Sequence, residues 1–342
     1  MGGRLLVLLL LAPCATLDCA PRATVRIEGL TMGTTYRVTV VTARPGSGDD
    51  LRRAVEHRLE EVNRHLSTWD DESEISRFNR SRSIGVEVRV SEDFLRVMTA
   101  AREIFVLSGG AWDATVSPLV ELWGFGPSGP ARGVPPPDRV VLALALVGFD
   151  KVEVRETGLV KRHPAVTLDL SSIAKGYGVD AVAEVVRGEG GADFLVEIGG
   201  EVYAAGARRD GSPWRVGVNR PDPDAAPDEV YRVVPLRDEA LATSGGYRNF
   251  FVQEGVRRSH VIDPRTGHPV TNGIASVTVR ASSCMLADGL ATAVMVMGPK
   301  AGLALVERLD GVEALVVVAD EDGGLRDHRS SGFPLEPPSG SH

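Results

Sequence analysis

The stretch that decides the fold lies near the C-terminus, at residues 276–318, and reads SVTVRASSCMLADGLATAVMVMGPKAGLALVERLDGVEALVVV. β-Branched residues predict a strand over 276–280, and an apolar run rich in Met and Val predicts a helix over 284–297. Pro299 suits the first turn of a second helix, and residues 313–318 predict another strand. This order of strand, helix, helix and strand lacks the steady alternation of a doubly wound sheet.

The rest of the chain predicts the same mixture of elements. Apolar residues at spacings of three and four predict a helix over 49–66. Ser91 suits the N-cap of another helix, which ends at Gly109-Gly110. A strand over 166–170 is expected to lead into a helix over 171–187. Further strands are predicted over 24–41 (interrupted at 32–34), 194–205, 214–218 and 233–243, with irregular segments at 66–79, 126–137 and 221–228. We therefore expect an α+β fold with mixed or antiparallel sheets and packed helices.

Composition limits the class of protein. The chain has 342 residues, of which 43% are apolar and 25% charged, as in a soluble globular protein. Its net charge is −8, which argues against broad nucleic-acid binding, because that function needs a basic footprint. Only Cys284 lies in the body of the chain, so a disulfide framework and a cysteine-based zinc site are excluded there. We expect Cys284 to be a buried small hydrophobe.

The N-terminus predicts export. Arg4 precedes seven apolar residues at 5–11, and small residues follow, which is typical of a signal peptide and too short for a permanent membrane span. Cys14 and Cys19 lie just after this run, and we expect one of them to be lipidated, which would tether the protein to a bacterial membrane in the periplasm or cell envelope. Simple removal of the signal is the alternative. Residues 1–19 are thus predicted as the signal, 24–329 as one domain and 330–342 as a frayed tail.

Asp288 and Thr292 are candidate metal ligands. They are four residues apart on the predicted helix 284–297, so their side chains share one face. A carboxylate and a hydroxyl supply the hard oxygens that Mg²⁺ prefers. The alternative is a polar stripe on an apolar helix, with the Thr hydroxyl bonded to its own backbone.

His260 is a candidate general base. It precedes a predicted strand end and the turn signature DPRTG at 263–267, which puts its imidazole at the rim of a sheet. A neutral His there could accept a proton from a hydroxyl nucleophile. A lone His is, however, more often structural than catalytic.

Residues 169–175 (DLSSIAK) form a candidate phosphate site. A helix N-terminus after a strand carries free N–H groups and positive potential. Ser171 and Ser172 could instead only cap the helix, and Lys175 could contact a phosphate or stay solvated. Two glycines in the next turn, at 176 and 178, favour close approach of the backbone to a ligand, and tight helix packing is the alternative. Tryptophans at 69, 112 and 123 could stack on a flat heterocycle or fill the core.

Together these segments resemble the FAD:protein FMN transferase family, also called ApbE. The resemblance covers about residues 32–297 and rests on eight blocks in order. They are 32–36 (MGTTY), 67–79 (STW and SEISRFN), 110–126 (GAWDATV and LWGFG), 168–177 (LDLSSIAKGY), 197–201 (EIGGE), 242–245 (ATSG), and the segments around His260 and Asp288. The resemblance implies an architecture related to the T-fold.

The resemblance also implies an activity and its residues. The family cleaves the pyrophosphate of FAD and attaches FMN to a Thr or Ser hydroxyl of an acceptor flavoprotein, releasing AMP. Asp288 and Thr292 would hold Mg²⁺ with the loop around Ser172 and Ala174, through either the Ser172 side chain or a backbone carbonyl of this loop. His260 would be the general base. The residues implied to contact FAD are Met32, Trp69, Ala111, Trp112, Asp113, Asp169, Lys175 and Ile262.

Two alternatives to transfer remain open, and three positions depart from the family. The same site could hydrolyse FAD to FMN and AMP, with water as the nucleophile. A lipoprotein that binds FAD without chemistry is the other alternative, against which the joint presence of His260, Asp288 and Thr292 weighs. This chain has Gly246 where the family often has an acidic or amide residue. It has Gly289 where Ala is usual and Ala114 where Pro is usual.

Overall fold

The computed structural model describes residues 22–42, 48–130, 133–226, 228–247, 249–253, 255–320 and 324–335. The predicted signal with Cys14 and Cys19, and the tail from residue 336, lie outside these ranges. None of the helices in the described ranges is long and apolar enough to cross a membrane.

The described part of the chain contains seventeen β-strands. They are β1 (Ala23–Thr31), β2 (Thr34–Thr42), β3 (Glu87–Arg89), β4 (Val152–Val154), β5 (Gly158–Lys161), β6 (Asp193–Ile198), β7 (Glu201–Ala205), β8 (Trp214–Asn219), β9 (Val230–Leu236), β10 (Glu239–Gly245), β11 (Phe250–Gln253), β12 (Val256–Ser259), β13 (Ile262–Asp263), β14 (His268–Pro269), β15 (Ile274–Ala281), β16 (Glu313–Ala319) and β17 (Leu325–Arg329). Eight of them form one antiparallel sheet in the order β1-β2-β6-β7-β10-β15-β16-β17. The others pair in small sheets: β3-β5-β4, β8-β9, β11-β12 and β13-β14.

The described part of the chain also contains eight α-helices. They are α1 (Gly48–Leu66), α2 (Glu74–Arg80), α3 (Glu92–Ser108), α4 (Ser117–Leu122), α5 (Pro137–Leu144), α6 (Ser171–Gly188), α7 (Cys284–Met297) and α8 (Pro299–Val306). Helix α7 packs on β10 and β15 and also contacts α3 and α6, so it lies at the centre of the molecule. Its apolar residues join a single large core with α1, α3, α6 and the sheet. The α+β prediction is confirmed.

The stretch at 276–318 folds as predicted. Strand β15, helices α7 and α8, and strand β16 follow in order, and β15 pairs directly with β16. Cys284 is fully buried at the start of α7, as expected. The Ser283 hydroxyl caps α7 by accepting the Leu286 N–H, and the Asp180 carboxylate on α6 accepts the Cys284 and Met285 N–H groups at 2.8 and 2.9 Å. Helix α6 therefore fixes where α7 begins.

The predicted helices around residues 49–66 and after Ser91 are also confirmed. Ser91 accepts the Phe94 N–H as the N-cap of α3, and Gly109 ends this helix at a φ of 60°. The interruption at 32–34 is a tight hairpin turn between β1 and β2. Met32 and Gly33 both have positive φ, 49° and 71°, as a two-residue turn of type I′ requires.

Gly176 allows α6 and α7 to approach closely. A Cβ at this position would lie 2.4 Å from the Cys284 carbonyl oxygen and 2.8 Å from the Asp288 Cβ. A Cβ on Gly178 would lie 2.8 Å from the end of the Met32 side chain. Of the two reasons for these glycines, packing against protein is the one that the structure supports.

We expect Gly176→Ala to destabilise the fold by roughly 1–3 kcal/mol, because the contact is with rigid backbone and α7 must move. Gly188→Ala is the matched control. It lies at the end of the same helix, where a Cβ would meet nothing within 4 Å, and it should leave the free energy of unfolding unchanged or slightly higher. Urea unfolding monitored by circular dichroism measures both. Equal stability of the Gly176 variant and the wild type would contradict the packing role.

The predicted strand at 166–170 is wrong. These residues have no regular secondary structure and join no sheet, because a side chain supplies their partner. Asn79 donates to the Leu168 carbonyl at 2.9 Å and accepts the Leu168 N–H at 2.8 Å, while the Asp169 N–H donates to the Ala114 carbonyl. The Asn79 side chain therefore makes the backbone hydrogen bonds that a neighbouring strand would make, and it fixes the segment that leads into α6.

Four other predictions need correction. The strands predicted over 194–205 and 233–243 are each two strands, divided by turns at Gly199-Gly200 and Asp238, which have positive φ. The polar segment 66–79 contains α2, whose N-cap is Ser73. The frayed tail does not begin at residue 330, because Ser330 exchanges hydrogen bonds with Ala314 and Phe333 is buried against the outer face of the sheet.

Candidate active site

A cavity of about 480 Å³ lies where α6, α7, β10 and the segment after β12 meet. It gathers most of the residues that the sequence and the family resemblance indicated. Those that line it are Trp69, Asp169, Ser172, Lys175, His260, Ile262, Asp288 and Thr292. One cavity is therefore lined by the candidate base, the candidate metal ligands and the candidate phosphate contacts.

A second cavity of about 620 Å³ adjoins the first and contains Met32. Thr68, Trp69, Ser171 and Lys175 line both cavities, so they form the boundary between them. Trp69 is 72% exposed, which is unusual for the largest side chain and leaves its ring available to a ligand. The pair of cavities suits a two-part ligand that crosses the Lys175 boundary.

The segment Ala111–Asp113 does not line either cavity. Asp113 is buried, and its carboxylate accepts the Thr115 N–H and hydroxyl and the Phe149 N–H. Burial raises the pKa of this carboxyl despite those bonds. Trp112 reaches the site through one contact, since its indole N–H donates to the Ser172 hydroxyl at 2.9 Å. Among the described contacts, Trp112 is thus a support for Ser172, and Asp113 holds its own loop.

The start of α6 is irregular. No side chain caps it at Leu170, and neither serine acts as the cap that the sequence allowed. Asp169 accepts the Ser171 N–H at 2.8 Å instead, and Ser172 departs from helical geometry, with φ −91° and ψ 15°. The helix therefore begins at the cavity wall with the Ser172 hydroxyl fixed by Trp112.

Asp288 and Thr292 share the cavity face of α7, as their spacing predicted. Asp288 is 3% exposed, and its Oδ2 accepts the Gly176 N–H at 3.0 Å. The Thr292 hydroxyl lies 2.8 Å from the Ser244 hydroxyl at the end of β10. One carboxylate oxygen and two hydroxyls thus lie on adjacent elements with their orientations fixed by hydrogen bonds.

A buried charge cluster surrounds Asp288. Lys175 Nζ lies 2.7 Å from Glu201 Oε1, and Glu201 is 2% exposed. Burial raises the pKa of Asp288, which Lys175 and the Gly176 N–H partly offset. Burial and the nearby Asp288 also raise the pKa of Glu201, and the adjacent Lys175 ammonium lowers it. Two desolvated carboxylates near one ammonium form a site that favours an additional cation.

His260 lies on the wall of the cavity. Among the described residues, Lys175 and Asp169 are the titratable groups that shift its pKa. Its Nδ1 lies 3.1 Å from the Asn249 carbonyl oxygen, which can only accept, so Nδ1 carries the hydrogen in the neutral ring. Nε2 is then the basic nitrogen. Burial lowers the pKa of His260, the Asn249 contact raises it, and Lys175 lowers it. The neutral form needed for a base therefore dominates at pH 7.

No group of three or more His, Cys, Asp or Glu side chains in the described part of the chain could hold a metal ion. A cation bound at Asp288 would therefore also need oxygen ligands from hydroxyl groups, backbone carbonyls or a bound ligand.

Comparison with known proteins gives the family. The model of the ApbE family matches residues 32–316. The chain belongs to the ApbE family. It is 42% identical over 328 residues to an FAD:protein FMN transferase of Vibrio cholerae, covering 95% of each chain. The solved flavin transferase ApbE from Vibrio cholerae superposes with a TM-score of 0.83 at 41% identity, over 92% of this chain and 99% of that one. The apo form of the Pseudomonas stutzeri flavinyl transferase ApbE gives 0.82 at 37% identity, over 92% and 97%.

Two positions that depart from the usual ApbE sequence have packing reasons. A Cβ on Gly246 would lie 2.8 Å from the Ser259 hydroxyl oxygen and 3.1 Å from the end of Met295. A Cβ on Gly289 would lie 2.3 Å from the Ile104 Cδ1. In both places a neighbouring side chain occupies the space that a larger residue would need.

Sequence reasoning missed Glu201, Ser244 and Asn249 as members of the site. Glu201 and Ser244 lie inside two of the blocks that carry the family resemblance, so the signal was present. Glu201 also opens an otherwise apolar strand (EVYAA), where a charge is unexpected. Asn249 acts through its backbone carbonyl, and a backbone contact leaves no trace in residue type.

Proposed function

We propose that this protein transfers FMN from FAD to a Thr or Ser hydroxyl of an acceptor flavoprotein and releases AMP. One observation carries the proposal: His260, Lys175, Asp288 and Thr292 line a single cavity. Family membership supports it, because the relatives at 42% and 36% identity bear the name FAD:protein FMN transferase.

We propose Mg²⁺ as the cation of this site. Asp288, Thr292 and Ser244 offer hard oxygens that line one cavity. Mg²⁺ in phosphate chemistry commonly uses one or two carboxylates together with water and substrate oxygens, so this donor set fits. When bound, Mg²⁺ would neutralise charge on the diphosphate. The loop at Ser172 lies beside these donors and could complete the set.

The chain's own residues account for the rest of the chemistry. Lys175 faces the boundary between the two cavities, where the diphosphate of a ligand that spans them would lie. His260 Nε2 takes the proton from the acceptor hydroxyl. That oxygen forms a bond to the phosphorus of the FMN half, and the bond from this phosphorus to the bridging oxygen breaks, so that the electron pair leaves with AMP. Trp69 at the boundary offers a face for an aromatic ring of FAD.

The decisive experiment is a transfer assay. The protein is incubated with FAD, Mg²⁺ and a flavoprotein domain that carries a Thr-containing flavinylation motif, with the Thr→Ala form of that domain as the control. Intact mass should show a gain equal to FMN on the first domain only, with AMP released. Free FMN with an unmodified acceptor would establish FAD hydrolysis instead. Bound FAD with no product would leave the third alternative, a protein that binds FAD without chemistry.

We also propose that the protein is exported and lipid-anchored. The support is the charged and apolar leader followed by Cys14 and Cys19. The full chain expressed in a bacterium should separate with the membrane fraction, and Cys→Ala at the lipidated position should release it. If the protein stays in the membrane fraction in both single variants and in the double variant, the lipid anchor is contradicted.

A further inference from the structure

Glu201 is the one buried acid of the cavity that the proposed chemistry does not use. It begins β7, directly after the Gly199-Gly200 turn, and is 2% exposed. Its Oε1 lies 2.7 Å from Lys175 Nζ, and its buried Oε2 has no hydrogen-bond partner among the described residues. It lines the same cavity as Lys175 and Asp288.

This arrangement is a poor way to gain stability. A buried ion pair often contributes nothing net, because removing two charges from water costs as much as their attraction returns. Glu201 also keeps one oxygen unpaired, which adds a desolvation cost. Lys175 keeps a third of its side chain exposed, so solvation alone would satisfy its charge. The pair therefore calls for a functional reason.

Lys175 supplies that reason. A lysine side chain has several rotatable bonds and loses rotamer entropy when it is fixed. One of its three N–H donors goes to Glu201, which leaves two to face the cavity. Glu201 begins a central strand of the main sheet and is 2% exposed, so its backbone is held in place and its carboxylate is enclosed by protein. An ammonium held in this way is oriented before a ligand arrives.

We propose that Glu201 is a positioning residue that fixes the Lys175 ammonium toward the FAD diphosphate. This inference rests on the proposed function. It predicts a change in FAD affinity opposite to the one that charge alone would give. Removing a negative charge beside an anionic ligand should strengthen binding if charge alone mattered. If Glu201 acts by orienting Lys175, Glu201→Gln should weaken FAD binding, because the ammonium is then free to turn away.

The experiment is a double-mutant cycle on FAD affinity and transfer rate with Glu201→Gln, Lys175→Met and the double variant. Flavin fluorescence gives the dissociation constant, and intact mass of the acceptor gives the transfer rate. We expect each single variant to weaken FAD binding about tenfold, as loss of a charged hydrogen bond does, and the double variant to be no worse than Lys175→Met. Glu197→Gln, on the other side of the same turn and outside the cavity lining, is the control and should bind FAD as the wild type does.

Three results would overturn the inference. Tighter FAD binding by Glu201→Gln would show that only charge matters. Additive losses in the double variant would show that Glu201 acts independently of Lys175. A lower melting temperature with unchanged FAD affinity would show a purely structural role. If the wild type itself transfers no FMN, the proposed function fails, and this failure is visible before any variant is compared.

Discussion

Asp288→Asn should lower FMN transfer by about 10³-fold or more, because a carboxylate that holds the cation supplies several kcal/mol of transition-state stabilisation. The change is nearly isosteric, and the side-chain oxygen of Asn can still accept the Gly176 N–H. It also removes a desolvated negative charge from the core of α7. The fold should therefore survive, with a melting temperature equal to or above that of the wild type.

Two measurements separate loss of metal from loss of fold. Mg²⁺ should raise the melting temperature of the wild type and leave that of the Asp288 variant unchanged, since a ligand stabilises only a protein that binds it. Transfer at increasing Mg²⁺ should show whether excess cation recovers the rate. An Asp288→Asn protein that transfers FMN normally at low Mg²⁺ would remove Asp288 from the metal site.

The elements with a clear period were predictable from sequence. Helix α1 follows apolar spacings of three and four, α3 begins at Ser91, and the order from β15 to β16 follows its residue types. The spacing of Asp288 and Thr292 predicted a shared helix face, and the structure places both on the cavity. These features depend on residues close in sequence, whose physics is local.

The errors have long-range causes. The segment 166–170 has the composition of a strand, but Asn79 supplies its hydrogen bonds from 89 residues away, which no local pattern indicates. Likewise, Gly176 is required by the Cys284 carbonyl, which lies on a different helix. The tail beyond residue 330 is polar in composition, yet Ser330 and Phe333 find partners on β16 and on the outer face of the sheet. Composition alone cannot report such contacts.

His260→Gln should reduce transfer by about 10²–10⁴-fold, the usual contribution of a general base. FAD affinity should change little, because the proposed role of His260 is to take a proton from the acceptor. The amide N–H₂ of Gln can still donate to the Asn249 carbonyl, so the loop should keep its position. An unchanged transfer rate would exclude His260 as the base.

The pH profile distinguishes a lost base from a disturbed loop. Burial lowers the pKa of His260 below its ordinary value of 6.5, so the folded enzyme holds the neutral, basic ring at pH 7. As pH falls through the lowered pKa, the ring gains a proton and wild-type transfer should decline. The unfolded chain takes up that proton at a higher pH than the folded enzyme does. Protonation of His260 therefore lowers the free energy of unfolding as pH falls below 6.5. In His260→Gln the slow residual transfer should lose this acidic decline, whereas a variant with only a misplaced loop and an intact base would keep it. Transfer rates of both proteins between pH 5 and 8, taken at saturating FAD, make the comparison, and an identical decline in both would assign the base to another group.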